Sequence, residues 1–351
     1  MKPFDFVQPA TIDQAFEVWT PGSDWLAGGT NLVDLMKTGA RLPDKLIDIT
    51  RLPGLSAIET LPDGATRIGA LVRNADLADD LAFVRRFPMV AEALLSGASG
   101  QLRNVATVAG NLMQSTRCAW FQDPNAACNR RAAGTGCDAQ GSAEDNLALL
   151  GWSEGCIATN PSDFCVPLVA LDAVVEVRGR NGERDIPLAA FHRLPGDAPH
   201  RETALEPGDL ILAVRLPASA TAFAANARYL KVRDRTSFAF ATASASAALT
   251  FDGPRIAEAR LAVGAVAARP WRVAEAEALL NGQAPDPDLF DRAAAAALAG
   301  ARPSARNAWK IDLARRTAVR ALTLAAAGTP ARLPAFPASV FGGPDREPAH
   351  V

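Results

Sequence analysis

Histidine is nearly missing from this chain. Only three occur among 351 residues, His192, His200 and His350, and the first half has none. The five cysteines include no C-x2-C pair. These two absences make a zinc finger or ribbon a poor match, and they exclude a mixed Cys/His zinc site between Thr107 and Asp163. Charge of one sign is also lacking, since the formal net charge is −2. Neither nucleic acid nor an anionic membrane is suggested as a partner. No apolar run reaches the length of a membrane span. The start, M-K-P-F-D-F-V-Q-P, lacks the apolar core of a signal peptide. The arginine pairs at 85–86, 130–131 and 315–316 are internal, so none reads as a twin-arginine export signal. The expected location is the cytoplasm, or the periplasm by export of the folded chain on a signal-bearing partner.

What is present is concentrated between T-V-A-G-N (107–111) and T-N-P-S-D (159–163). Cys118, Cys128, Cys137 and Cys156 fall between those ends, and Cys165 lies just beyond. The interval is rich in Gly, Asn, Asp, Arg and Ala and poor in apolar runs, so it cannot fold by burying its own surface. A loop of this length inside a compact domain is usually functional or disordered. A bound metal centre would give it one shape. The spacing is C-x9-C-x8-C-x18-C. Four thiolates without histidine suit zinc or an iron–sulfur cluster. Disulfides and plain buried thiols are the alternatives, and the odd count argues against a disulfide framework. Cys165 sits in F-C-V-P-L-V-A-L, where a core thiol is expected rather than a ligand.

At this length the chain should hold two or three compact units. Phe4–Val7 reads as a strand, and Thr11 with Gln14 as a capping box for a helix to Trp19. A strand at 24–27 runs into Gly28-Gly29-Thr30-Asn31, and a helix begins near Leu32 and stops at Gly39. Such a strand–glycine turn–helix lets backbone N–H groups face a phosphate, although an ordinary turn would read the same way. It is not G-x-G-x-x-G, so the doubly wound dinucleotide fold is not implied. Hairpins are expected at Pro62-Asp63-Gly64, Asn181-Gly182 and Asp252-Gly253. Asn74 is expected to cap a helix running toward Phe87. Pro161 and Ser162 are expected to start a helix with Asp163 in its first turn. Three strands and three alanine-rich helices should form the last unit.

Taken with A-G-G-T-N-L-V-D (27–34), the frame T-V-A-G-N … N-P-S-D resembles the FAD subunit of the molybdenum hydroxylases, the xanthine dehydrogenase and carbon monoxide dehydrogenase group. The insert T-R-C-A-W-F-Q-D … C-N-R-R … G-T-G-C … E-G-C-I-A is similar to that of periplasmic aldehyde oxidoreductases, and more loosely to that of 4-hydroxybenzoyl-CoA reductase. The resemblance implies an α+β chain. Two α/β subdomains (1–55 and 56–217) would form a PCMH-type FAD-binding domain with a cluster insert at 112–158. A CO dehydrogenase flavoprotein C-terminal-like domain, a three-stranded sheet with helices, would occupy 225–328, and a Pro-rich tail 329–351. It places FAD between the first two units, against Leu26, Ala27, Gly28, Gly29, Thr30, Asn31, Leu32, Val33 and Asp34, then Thr107, Gly110, Asn111, Ser162 and Asp163, with Lys231 near the isoalloxazine and Ile211 as an apolar contact. It assigns one 4Fe–4S cluster to Cys118, Cys128, Cys137 and Cys156.

The same resemblance implies a molybdenum cofactor-binding large subunit and a 2Fe–2S small subunit as partners, with an external electron acceptor. Aldehyde oxidation would occur on the molybdenum subunit, and this chain would pass electrons. The absent histidines exclude a covalent His–flavin bond in the glycine loop and disfavour a His base at the flavin. No plant-type C-x4-C-x2-C run is present, so the 2Fe–2S clusters belong elsewhere. Competing readings are a stand-alone flavin oxidoreductase, the FAD subunit of a hydroxybenzoyl-CoA reductase-like enzyme, and a non-catalytic scaffold holding structural zinc.

Overall fold

The structure, a computed structural model, describes residues 1–142 and 146–331. The expected proline-rich arm lies outside the described residues from 332 onward. Its root is fixed, because Thr329 N donates to Ala225 O at 2.8 Å and Ala227 N donates to Thr329 Oγ1 at 2.9 Å.

Three sheets carry the fold. The first is parallel, with β1 (Asp5–Val7), β2 (Ser23–Leu26) and β3 (Lys45–Asp48) in the order β1-β3-β2. Parallel neighbours need a crossover, and the helices Ile12–Val18 and Leu32–Thr38 supply it. Thr11 accepts from Gln14 N at 3.2 Å as the capping pattern requires, while Gln14 Oε1 reaches Ala10 N at 3.0 Å. The second sheet is antiparallel. Its strands β4 (Ile58–Thr60), β5 (Thr66–Gly69), β6 (Val174–Gly179), β7 (Gly182–Pro187) and β8 (Leu210–Leu216) are ordered β4-β5-β8-β6-β7. The two-residue loop of the β6–β7 hairpin is Arg180-Asn181, since Gly179 pairs with Gly182. Trp25 Nε1 donates to Asp209 O at 2.9 Å and ties the first unit to the second.

The third sheet holds β9 (Ala227–Val232), β10 (Ala243–Asp252), β11 (Arg255–Gly264) and a two-residue edge, β12 (Trp271–Arg272). The edge strand adds a fourth member to the three expected. Its alanine-rich helices do pack on the sheet: Ala293, Ala294 and Ala297 of Pro287–Ala297 and Ala314, Ala318, Ala321 and Ala325 of Trp309–Ala326 join Ala243, Ala245 and Ala247 in one buried cluster. Small side chains on both surfaces let helix and sheet approach closely.

Two helices depart from the sequence reading. Asn74 is the first helical residue rather than the cap, and its helix ends at Asp79. Asp80 is extended and accepts from Phe83 N at 2.8 Å, which starts a second helix, Leu81–Arg86. Asp163 precedes its helix, which spans Cys165–Ala170. Ser162 Oγ accepts from Cys165 N at 3.3 Å and defers the start. Among the described residues no helix is long and apolar enough to cross a membrane.

Candidate flavin cleft and four-cysteine centre

A cleft of about 820 Å³ opens where the three units meet, toward the upper end of ligand pockets, roughly 300–1,000 Å³. The glycine turn after β2 forms one wall with Gly29, Thr30, Asn31, Val33, Asp34 and Lys37. Gly28 is pressed against the opposite wall. A Cβ there would lie 2.1 Å from Val105 O, so only glycine lets the two backbones meet. Gly29 adopts φ +73°, in the left-handed region. Thr107 accepts from Gly110 N at 3.2 Å and caps the helix Val108–Leu112. That cap presents Gly110 and Asn111 to the cleft, and Asn111 Oδ1 accepts from Ser162 Oγ at 2.8 Å.

At the far end a buried carboxylate is held by two donors from β9. Lys231 Nζ donates to Asp163 Oδ2 at 2.7 Å, and Tyr229 Oη donates to Asp163 Oδ1 at 2.5 Å. Burial first, then the Asp163 charge, raises the Tyr229 phenol well above its usual range, so it stays a donor. Asp163 and Lys231 line the cleft, as does the segment after β9, with Arg235, Phe238 and Phe240. Arg117 joins the parts: it donates to Asp34 Oδ2 at 2.8 Å and stacks 4.9 Å from the Phe240 ring centroid. Among the described residues, Asn74 Oδ1, Arg117 Nε and Asn146 Oδ1 are buried without a hydrogen-bond partner, and all three residues line the cleft. Unpaired buried polar atoms are costly unless a ligand or water satisfies them. The cleft therefore fits a large polar ligand with an anionic part.

Beside it lies a second, much smaller cavity. Cys118, Cys128, Cys137 and Cys156 all line it, with Trp120, Phe121 and Arg130. None is in a disulfide. The insert folds around it by its own polar groups. Cys128 and Cys137 face each other in an antiparallel bridge. Asn129 N donates to Gly136 O at 2.7 Å, and Asn129 Nδ2 to Gly155 O at 3.0 Å. Arg131 donates to Trp120 O, Phe121 O and Ala126 O. Burial, with Cys156 close by, pushes the Cys137 thiol up. Cys165 is elsewhere, fully buried in the helix Cys165–Ala170, and burial pushes its thiol up to about 12.

Residues 2–219 match the family described as FAD binding domain in molybdopterin dehydrogenase. Residues 228–325 match the CO dehydrogenase flavoprotein C-terminal domain. The chain belongs to the FAD-binding subunits of the molybdenum hydroxylases. It is 47% identical over 310 residues to the aldehyde oxidoreductase FAD-binding subunit PaoB of Escherichia coli K12, covering 88% of this chain and 92% of that one. It is 26% identical to the carbon monoxide dehydrogenase medium chain of Afipia carboxidovorans, over 86% and 88% of the two chains. The solved carbon monoxide dehydrogenase from Hydrogenophaga pseudoflava superimposes with a TM-score of 0.72 at 26% identity, covering 93% of this chain and 98% of that one.

In this molybdenum hydroxylase flavoprotein, nine of the sixteen residues expected at the flavin line the cleft: Gly29, Thr30, Asn31, Val33, Asp34, Gly110, Asn111, Asp163 and Lys231. Seven stand behind it. Leu26 ends β2, and Ala27 packs on the core of the first unit. Gly28 makes the close backbone approach, and Leu32 opens the helix after the turn. Thr107 and Ser162 hold Gly110 and Asn111 in place. Ile211 lies on β8, paired with Val177 inside the main core, and does not line the cleft. Sequence reasoning missed Arg103, Arg117, Phe238, Phe240 and Tyr229. Only Tyr229 carried a signal, as the one tyrosine in the chain, two residues before Lys231.

Proposed function

We propose that this chain is the FAD- and 4Fe–4S-carrying electron-transfer subunit of a molybdenum-dependent aldehyde oxidoreductase. The observation that carries the proposal is a shared wall: Thr116 and Cys118 line both the large cleft and the four-cysteine cavity. The likeness to an aldehyde oxidoreductase subunit supports aldehydes as the substrate class. When bound, the two groups would supply electron transfer, from a 2Fe–2S subunit through the flavin to an external acceptor. The protein's part is to hold them. The glycine turn, with Arg117 and Lys37, would take the pyrophosphate. Asp163, fixed by Lys231 and Tyr229, would face the flavin's polar side.

Cys118, Cys128, Cys137 and Cys156 would ligate the cluster. Among the described residues, no three His, Cys, Asp or Glu side chains are arranged to hold a single ion. A single zinc draws its sulfurs to one point, each at about 2.3 Å. A cluster spreads four thiolates around a larger body, which suits four cysteines lining one cavity.

A molybdenum cofactor-binding large subunit and a 2Fe–2S small subunit would complete the enzyme. The Afipia relative is itself named a medium chain. Anaerobic purification with an absorption spectrum and iron, sulfide, zinc and flavin analysis tests the reading. Flavin together with iron and sulfide in equal amounts is expected. Stoichiometric zinc without iron would refute the cluster. Bleaching of the isolated chain by an aldehyde would favour the stand-alone oxidoreductase instead.

A further inference from the structure

Arg130 is one of two adjacent arginines in the insert, and the two do different things. Arg131 donates only to backbone carbonyls, which shapes the loop. Arg130 is buried, its side chain 5% exposed, and NH1 lies 3.0 Å from Glu202 Oε2. Arg130 and Cys156 line the same cavity. Among the described residues Nε has no hydrogen-bond partner, and Arg130 lines the four-cysteine cavity. An arginine guanidinium stays protonated in proteins, and Glu202 balances its charge in the buried site. Glu202 is itself anchored. It neighbours Thr203, which bridges to His192, and the His192 ring is bonded to Leu112 O at the root of the insert.

We propose that Arg130 sets the reduction potential of the centre that the four cysteines hold, with Glu202 as its counterweight. This rests on the cluster reading above. Hydrogen bonds to the sulfurs, net charge and solvent exposure set the potential of an iron–sulfur centre. One-electron reduction adds a negative charge within reach of a buried cation. Burial leaves that attraction poorly screened, so Arg130 favours the reduced state. Glu202 partly cancels it.

The test uses the full chain, purified anaerobically, with Arg130→Gln, Arg130→Lys and Glu202→Gln. Iron and sulfide are measured first, then the midpoint potential by a redox titration followed by electron paramagnetic resonance. Wild type lacking iron and sulfide would refute the cluster reading, and this proposal with it. With the cluster present, Arg130→Gln should lower the potential, Arg130→Lys should restore part of the shift, and Glu202→Gln should raise it. A merely structural Arg130 would change iron content or melting but not move the two potentials in opposite directions. If Arg130→Gln does not accumulate, Glu202→Gln alone decides. An unchanged potential in an iron-replete variant, or shifts of the same sign, would overturn the proposal.

Discussion

Lys231 and Asp163, 68 positions apart, form an ion pair at 2.7 Å with both side chains buried, 3% and 7% exposed. Removing one member of a buried pair leaves the other charge uncompensated, at about 3–5 kcal/mol. Lys231→Met should therefore lower the melting temperature substantially and reduce flavin content per chain. Tyr229→Phe removes only one donor to the same carboxylate, worth about 1.5–3 kcal/mol, and should be milder on both counts. Thermal melts with flavin quantitation check the order. A Lys231→Met protein as stable as wild type would show that the pair is not what holds Asp163.

The two glycines of the turn should not respond alike. At Gly28 an added Cβ meets the backbone at Val105, 2.1 Å away, and backbone cannot yield as a side-chain tip can. At Gly29 it would meet Val33 Cγ2 at 3.1 Å and carry the strain of φ +73°, roughly 1–2 kcal/mol. Gly28→Ala should separate the turn from the wall at 105–106 and lose most of the flavin. Gly29→Ala should keep much of it, and Gly29→Val, bulkier at the same spot, should keep little. Flavin per chain, measured by absorbance after desalting, ranks the three. Full flavin in Gly28→Ala would contradict the close-approach argument.

Local pattern explains why these glycines were legible. A strand, a glycine pair and a helix lie in contiguous residues, and the hydrophobic period announces each element. The same holds for the β6–β7 hairpin and the alanine-rich helices. Asp163 was legible as a residue but not in its setting. Its charge reads as a helix N-terminal carboxylate, whereas Ser162 defers the helix and β9 supplies its partners. Arg117 and Arg130 read as ordinary solvated charges. Each acquires a role only when distant segments converge, Arg117 on Asp34 and Phe240, and Arg130 on Glu202 and Cys156. Nothing within their own windows encodes those meetings. Cys165 was legible because the residues that follow it, V-P-L-V-A-L, are almost wholly apolar, which is a local property.

The cysteines should divide cleanly. Cys118, Cys128, Cys137 and Cys156 share one cavity, whereas Cys165 is fully buried in the main core. Single Cys→Ser variants at the first four positions should lose iron or change the visible spectrum. Cys165→Ser should retain iron and lose stability, by about 1–3 kcal/mol, from a hydroxyl placed in an apolar site. Iron analysis beside thermal melts separates the two effects. Iron loss in Cys165→Ser with unchanged iron in Cys156→Ser would show the ligand set to be wrong.

His192 should give the stability a pH dependence of a definite sign. The ring is buried, with Nε2 2.9 Å from Leu112 O, so Nε2 carries the proton and donates. Nδ1 has no partner. Burial, helped by the Arg130 charge and opposed by Leu112 O and Glu202, lowers the pKa below its usual 6.5. The unfolded chain then binds the proton more readily than the folded one. Stability from this group is complete above about pH 6.5 and is lost as pH falls from there through the folded-state value. The slope is at most about 1.4 kcal/mol per pH unit. His192→Gln keeps a donor for Leu112 O but cannot titrate. Denaturant unfolding of wild type and variant at pH 7.5 and pH 5.5 isolates the term. The stability of wild type relative to the variant should fall on acidification, and a difference that stays constant or rises would mean that His192 is protonated in the folded protein.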